Sequence, residues 1–155
     1  MTTIRVALVA ATLTWAGLLV VTPLLASRPH ASPIASALIL AVYGVGSLVC
    51  HQLPERSYHL WTAQMPVCAR CAGIYFGAVA GAIAGLCRTG IVGARARLLG
   101  PRVILALAAT PTLVTLVYEW TTGDMPPHAI RAAAGVPIGG VVAWLLVAVA
   151  DNQVN

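Results

Sequence analysis

The 155-residue chain has no lysine and only four acidic side chains. Charged residues of either sign make up 8% of it, against about a quarter in an ordinary soluble domain. That scarcity excludes a soluble globular domain. It also excludes a disordered chain, which needs low hydrophobicity and high charge. Four carboxylates are too few to line a proton path across a bilayer. No phosphate-cradling glycine loop and no Ser/His/Asp hydrolase motif is visible. All nine basic residues are arginine and 28 residues are alanine, a compositional bias that gives arginine-for-lysine choices little functional weight. The arginines stand between apolar stretches rather than on one basic face. The net charge of +5 is therefore not a nucleic-acid footprint, and no nucleic-acid partner is expected.

What is present is apolar: 59% hydrophobic residues and a mean hydropathy of +0.89. This is the composition of an integral membrane protein, with the lipid bilayer as its first partner. The length allows a single membrane domain over residues 1–155. Five stretches approach the roughly 20 residues needed to cross the hydrocarbon: residues 4–26, 32–50, 71–88, 103–121 and 129–150. In lipid each must be a helix, because a helix satisfies its own backbone groups. The expected fold is an all-α, polytopic transmembrane bundle of about five spanning helices. The first stretch could also be read as a signal peptide. Its apolar run is long for one, so a retained helix is expected.

Arg88, Arg95, Arg97 and Arg102 form the largest basic cluster, between the third and fourth stretches. By the positive-inside rule that connection is cytoplasmic. Five crossings then put the N-terminus outside and the C-terminus inside. The connections after the second and fourth stretches lie two crossings apart, so they share a membrane face whatever the orientation. Cys50, His51, the segment to Cys71, Glu119, Asp124 and Arg131 should gather there, on the extracytoplasmic side.

Between the second and third stretches lies the most polar part of the chain, from Cys50-His51-Gln52 through Pro54-Glu55-Arg56-Ser57-Tyr58-His59 to Pro66-Val67-Cys68-Ala69-Arg70-Cys71. Pro54 followed by Glu55 suits a helix start, and Tyr58 and Trp61 suit the headgroup level. A short interfacial helix from Pro54 to about Gln64 is expected. The two-residue gap between Cys68 and Cys71 lets both sulfurs face one point, a spacing that serves metals and dithiols alike. Cys87 lies sixteen residues beyond Cys71, about 24 Å along a helix, and reads as a packing residue. Three cysteines and one histidine make a tetrahedral zinc set. Cys50, Cys68 and Cys71 are the candidate ligands, with His51 or His59 as the fourth. Arg70 would offset the charge of three thiolates. Glu55 and Glu119 are the candidate general bases should the metal keep an open position. Arg56, Arg70 and Arg131, with Ser57 beside them, could receive an anion such as a lipid phosphate. Glu119 and Arg131 could equally form a salt bridge that fixes two helix ends. His30 and His128 read as ordinary loop residues.

Gly73, Gly77, Gly81 and Gly85 recur every four residues and line one stripe, and Gly135 and Gly139 repeat the device in the fifth stretch. Such stripes let helices approach closely in lipid. They read as seams of a tight bundle, or as a surface for a partner helix.

The string CHQ-x-PERSY, then PVCARCAGIYFG, resembles the prokaryotic integral membrane family called domain of unknown function 2085. The resemblance covers about residues 44–144. It implies that Cys50, His51, Glu55, Arg56, Ser57, Cys68, Arg70 and Cys71 form the family's shared core, and it supplies no reaction. This chain has Glu119 where Asp is common, Tyr58 where Phe is common, and Ala72 in place of a frequent Thr or Ser. Three functions follow as expectations. The first is metal binding, with zinc as the cofactor. The second is thiol–disulfide exchange at Cys68 and Cys71. The third is a non-enzymatic subunit or transporter component docking through Gly73, Gly77, Gly81 and Gly85.

Overall fold

The computed structural model describes residues 3–87 and 100–152. Five α-helices run in chain order: α1 Thr3–Ala26, α2 Pro33–Val49, α3 Ala69–Cys87, α4 Pro101–Thr122 and α5 His128–Asn152. Between α2 and α3 come a single 3-10 turn, Pro54–Arg56, and two strands, β1 Ser57–Leu60 and β2 Ala63–Cys68. Local chemistry sets several of the helix ends. Ser32 caps α2 by accepting from the Ala35 N–H at 3.3 Å, with Pro33 in the first turn. Helix α4 stops at Gly123, whose φ of 74° suits glycine and whose N–H returns to the Glu119 carbonyl at 3.1 Å.

The core is the α3–α5 seam. A Cβ at Gly73, Gly77 or Gly81 would collide with the backbone at Ala132, Val136 or Gly140 of α5. A Cβ at Gly139 would collide with the Ile74 backbone of α3. The glycine stripes therefore face one another inside one chain, and the two helices run parallel in near backbone contact. Helix α1 runs antiparallel to α3. Arg5 Nη2 donates to the Gly85 carbonyl at 2.8 Å, the Trp15 ring meets Tyr75 edge-on, and Leu19 clusters with Ala72. Helix α4 runs antiparallel to α5, joined by Thr112 Oγ1 donating to the Ala134 carbonyl at 2.7 Å and by Glu119 with Arg131.

Two expectations are corrected here. The first is five crossings. Four helices, α1, α3, α4 and α5, are long and apolar enough to span a membrane. Helix α2 has 17 residues, about 25 Å at 1.5 Å per residue. Its role follows from the antiparallel α1 and α3. The chain leaves α1 at Ala26, and Cys50 packs back beside Leu19 and Ala72. The end of α1 and the start of α3 thus lie at the same end of the bundle, and α2 connects them there. Composition alone could not reveal this, because α2 is as apolar as a spanning helix.

The second correction concerns the interfacial helix from Pro54 to Gln64. Only its first turn exists, and the rest is an antiparallel hairpin pairing Ser57 with Cys68 and His59 with Gln64. Trp61 and Thr62, both at positive φ, make the two-residue turn, a geometry that matches the twist of paired strands. The hairpin is held by burial. Met65, Pro66 and Val67 of β2 are buried, in a region that also encloses Leu19. Pro66 lacks an N–H and would have ended any helix that reached it.

Candidate metal centre and its arginine network

Cys50 follows the last residue of α2, Cys68 ends β2, and Cys71 lies in the first turn of α3. Their sulfurs all lie within 4.8 Å of one another. All three are free thiols; Cys50 is buried and the other two are half-buried. A zinc ion about 2.3 Å from each sulfur would hold the sulfurs about 3.8 Å apart in a tetrahedral set. The 4.8 Å bound on the sulfur separations is within about 1 Å of that spacing.

Backbone contacts hold the sulfurs in place. The Cys68 N–H donates to Cys50 Sγ at 3.2 Å. The left-handed Gln52 backbone (φ 50°) reverses the chain after Cys50. Its side-chain Nε2 then donates to the Tyr43 carbonyl at 2.8 Å and the Pro66 carbonyl at 2.7 Å. Gln64 Nε2 donates to the Gln52 carbonyl at 2.5 Å and to Ser57 Oγ at 3.3 Å, and Tyr43 donates to the Gln64 carbonyl. This network ties the end of α2 to β2, and so fixes Cys50 against Cys68. Sequence reasoning missed Gln52 and Gln64. The signal was their place among carbonyls that a non-helical segment must satisfy.

The Cys68 thiol is pushed down to about 5, chiefly by a hydrogen bond from the Cys71 side chain, against the opposing effect of burial. The Cys71 backbone, Cys50 and the positive charge of Arg131 add to the lowering. A cysteine just ahead of a helix, receiving an N–H from its first turn, is held as thiolate, the form that binds metals and attacks disulfides.

Neither histidine joins the sulfurs. His51 and His59 are both exposed, and among the described residues the metal-capable group consists of the three cysteines. Glu55 is exposed on the 3-10 turn. Ser57 is buried and donates to the Leu53 carbonyl at 2.9 Å, which holds that turn. The side chain of Cys87 lies outside the described residues.

Glu119 has a different setting. Its side chain is 4% exposed, and three guanidinium groups surround it. Arg70 Nη2 lies 2.6 Å from Oε1, Arg131 Nε 3.1 Å from Oε1, and Arg56 Nη1 4.0 Å from Oε2. Arg70 also donates to Thr115 Oγ1 at 3.2 Å. Ends of α3, α4 and α5 and the 3-10 turn thus meet at one carboxylate. The connections before α3 and after α4 share one end of the bundle, as the count of crossings between them required. His128, expected in a loop, is the first residue of α5, and its ring packs tilted against Tyr58 with ring centroids 5.4 Å apart.

The family model described as "Predicted membrane protein (DUF2085)" matches residues 50–145, from the first cysteine into α5. Uncharacterized protein MJ1492 of Methanocaldococcus jannaschii is 50% identical over 44 residues. That match spans 28% of this chain and 28% of the relative's length. No solved structure matches the chain.

Proposed function

The chain belongs to the DUF2085 family of predicted membrane proteins, and from that premise we propose that Cys50, Cys68 and Cys71 bind a metal ion, zinc, at one face of the membrane. One observation carries the reading: three sulfurs from three separate elements converge within 4.8 Å. Chance packing of small apolar residues does not require a hydrogen-bonded network around a backbone reversal to hold them there. Three thiolates suit zinc by softness and geometry. With both histidines outside the trio, the fourth position is left for water or a substrate atom, which is the arrangement of a catalytic rather than a closed structural site. Arg70 and Arg131 supply positive charge against the thiolates.

The metal face is extracytoplasmic in this reading. With α2 not crossing, the N-terminus joins the end of the bundle that holds the 88–100 connection. Arg5, Arg88, Arg95, Arg97 and Arg102 then lie on one side, with Arg28, Arg56, Arg70 and Arg131 on the other. Three of the latter four surround Glu119. Arg28 is then the one arginine of that side outside the Glu119 network, which makes the basic asymmetry clearer than the raw count.

Replacing Cys68 with Ser tests the metal reading. Bound metal should fall from about one ion per chain to near zero, and a variant that keeps full occupancy overturns it. The lowered Cys68 thiol favours a second reading, thiol–disulfide exchange with Cys71. In that case the pair would be alkylated only after reduction.

A further inference from the structure

We infer that Arg56, Arg70 and Arg131 form a binding site for a phosphate group beside the cysteines. The inference rests on the guanidinium geometry and holds whether or not the cysteines carry a metal. Three positive groups surround one carboxylate, so positive charge is in excess there, offset in part by the Cys68 sulfur that Arg131 also faces. Solvent screens only part of this. The side chains of Arg131 and Arg70 are 2% and 10% exposed, and that of Arg56 is 40% exposed.

The donor count leads to the same conclusion. Arg70 uses one nitrogen, for Thr115 and Glu119. Among the described residues, the guanidinium groups of Arg56 and Arg131 donate no hydrogen bond, since their approach to Glu119 is an ion pair without hydrogen-bond alignment. Among the described residues, the Nε atoms of all three arginines are buried without a hydrogen-bond partner, although Arg131 Nε is ion-paired with Glu119, and His128 Nε2 is likewise buried without one. Buried donors without acceptors are rare because they lose their water for nothing. His128 and Arg131 are one turn apart at the start of α5, the positive end of the helix dipole. An anion with several acceptor oxygens would satisfy the arginine donors together.

Phosphate fits that need. Its oxygens match the guanidinium fork, and its negative charge opposes the positive excess. Half-exposed Arg56 gives access from the membrane face. A phospholipid headgroup and a free phosphate present the same chemistry here.

The test uses the full chain purified in detergent. Inorganic phosphate and dihexanoyl phosphatidylglycerol below its micellar concentration are titrated separately by calorimetry. Zinc content is measured on the same samples. One equivalent of at least one probe should bind, and Arg56→Gln should weaken it at least tenfold with the melting temperature and zinc content unchanged. A lipid source is indicated if phosphatidylglycerol binds and inorganic phosphate does not. Binding of inorganic phosphate at comparable affinity indicates a free phosphate. Either result upholds the site. Phosphate binding by zinc-free protein upholds it too and counts against the metal reading alone. If neither probe binds, or if Arg56→Gln binds as the native chain does, the inference is overturned.

Discussion

At the scale of single residues, Glu119 concentrates the largest risk. It is buried and is the carboxylate that faces two almost fully buried guanidinium groups. Removing one partner from such a network leaves charges in a poorly solvating interior, at a cost of about 3–5 kcal/mol. Glu119→Ala should therefore lower the melting temperature in detergent sharply. A shift no larger than that of an exposed-site variant such as Glu55→Ala would mean that the network does not hold the helix ends. That Glu119, Arg131 and the cysteines gather at one end of the bundle was legible from crossing parity, while the Glu119–Arg131 ion pair was one of two readings the sequence left open. The fourth ligand was not legible. His51 adjoins Cys50 in the chain, but the backbone reversal at Gln52 leaves its ring exposed. His128 looked ordinary because its ring contact with Tyr58 spans 70 residues, which no local pattern encodes.

At the scale of elements, the glycine spacing was the clearest signal in the chain, and the structure uses it between α3 and α5. A side chain at Gly81 would meet the Gly140 backbone, which has no rotamer with which to move aside. Gly81→Val should destabilise by at least the roughly 1–3 kcal/mol of ordinary overpacking. Gly44→Ala is the matched control. Its Cβ meets nothing within 4 Å, so stability should hold or rise slightly. Equal effects of the two substitutions, read by thermal melting in detergent, would remove the seam from the account. The hairpin was less legible. Pro54 and Glu55 signal a helix start, and one turn does form. What cancels the helix is tertiary burial of Met65, Pro66 and Val67, together with a two-residue turn built from Trp61 and Thr62 rather than from asparagine and glycine.

At the scale of the whole molecule, membrane class and the helical bundle could be read from composition, while the number of crossings could not. Hydropathy treats α2 as it treats a spanning helix, and only the antiparallel pairing of α1 with α3 returns both its ends to one side. The proposed topology of four crossings puts both termini on the side of the 88–100 connection. Reporter tags at residue 1 and residue 155 should be protected in intact cells. A tag in the loop after Arg28 should be accessible. Opposite accessibility of the two termini would restore an odd number of crossings and reverse the placement of the cysteine face.

The central claim is the metal at Cys50, Cys68 and Cys71. The most direct measurement is metal content by mass spectrometry, with a thiol count, on full-length protein purified anaerobically without chelator. The account predicts about one zinc per chain and three thiols that react with alkylating reagent only after the metal is removed. Protein free of metal, with Cys68 and Cys71 joined as a disulfide or all three thiols freely reactive, would contradict it.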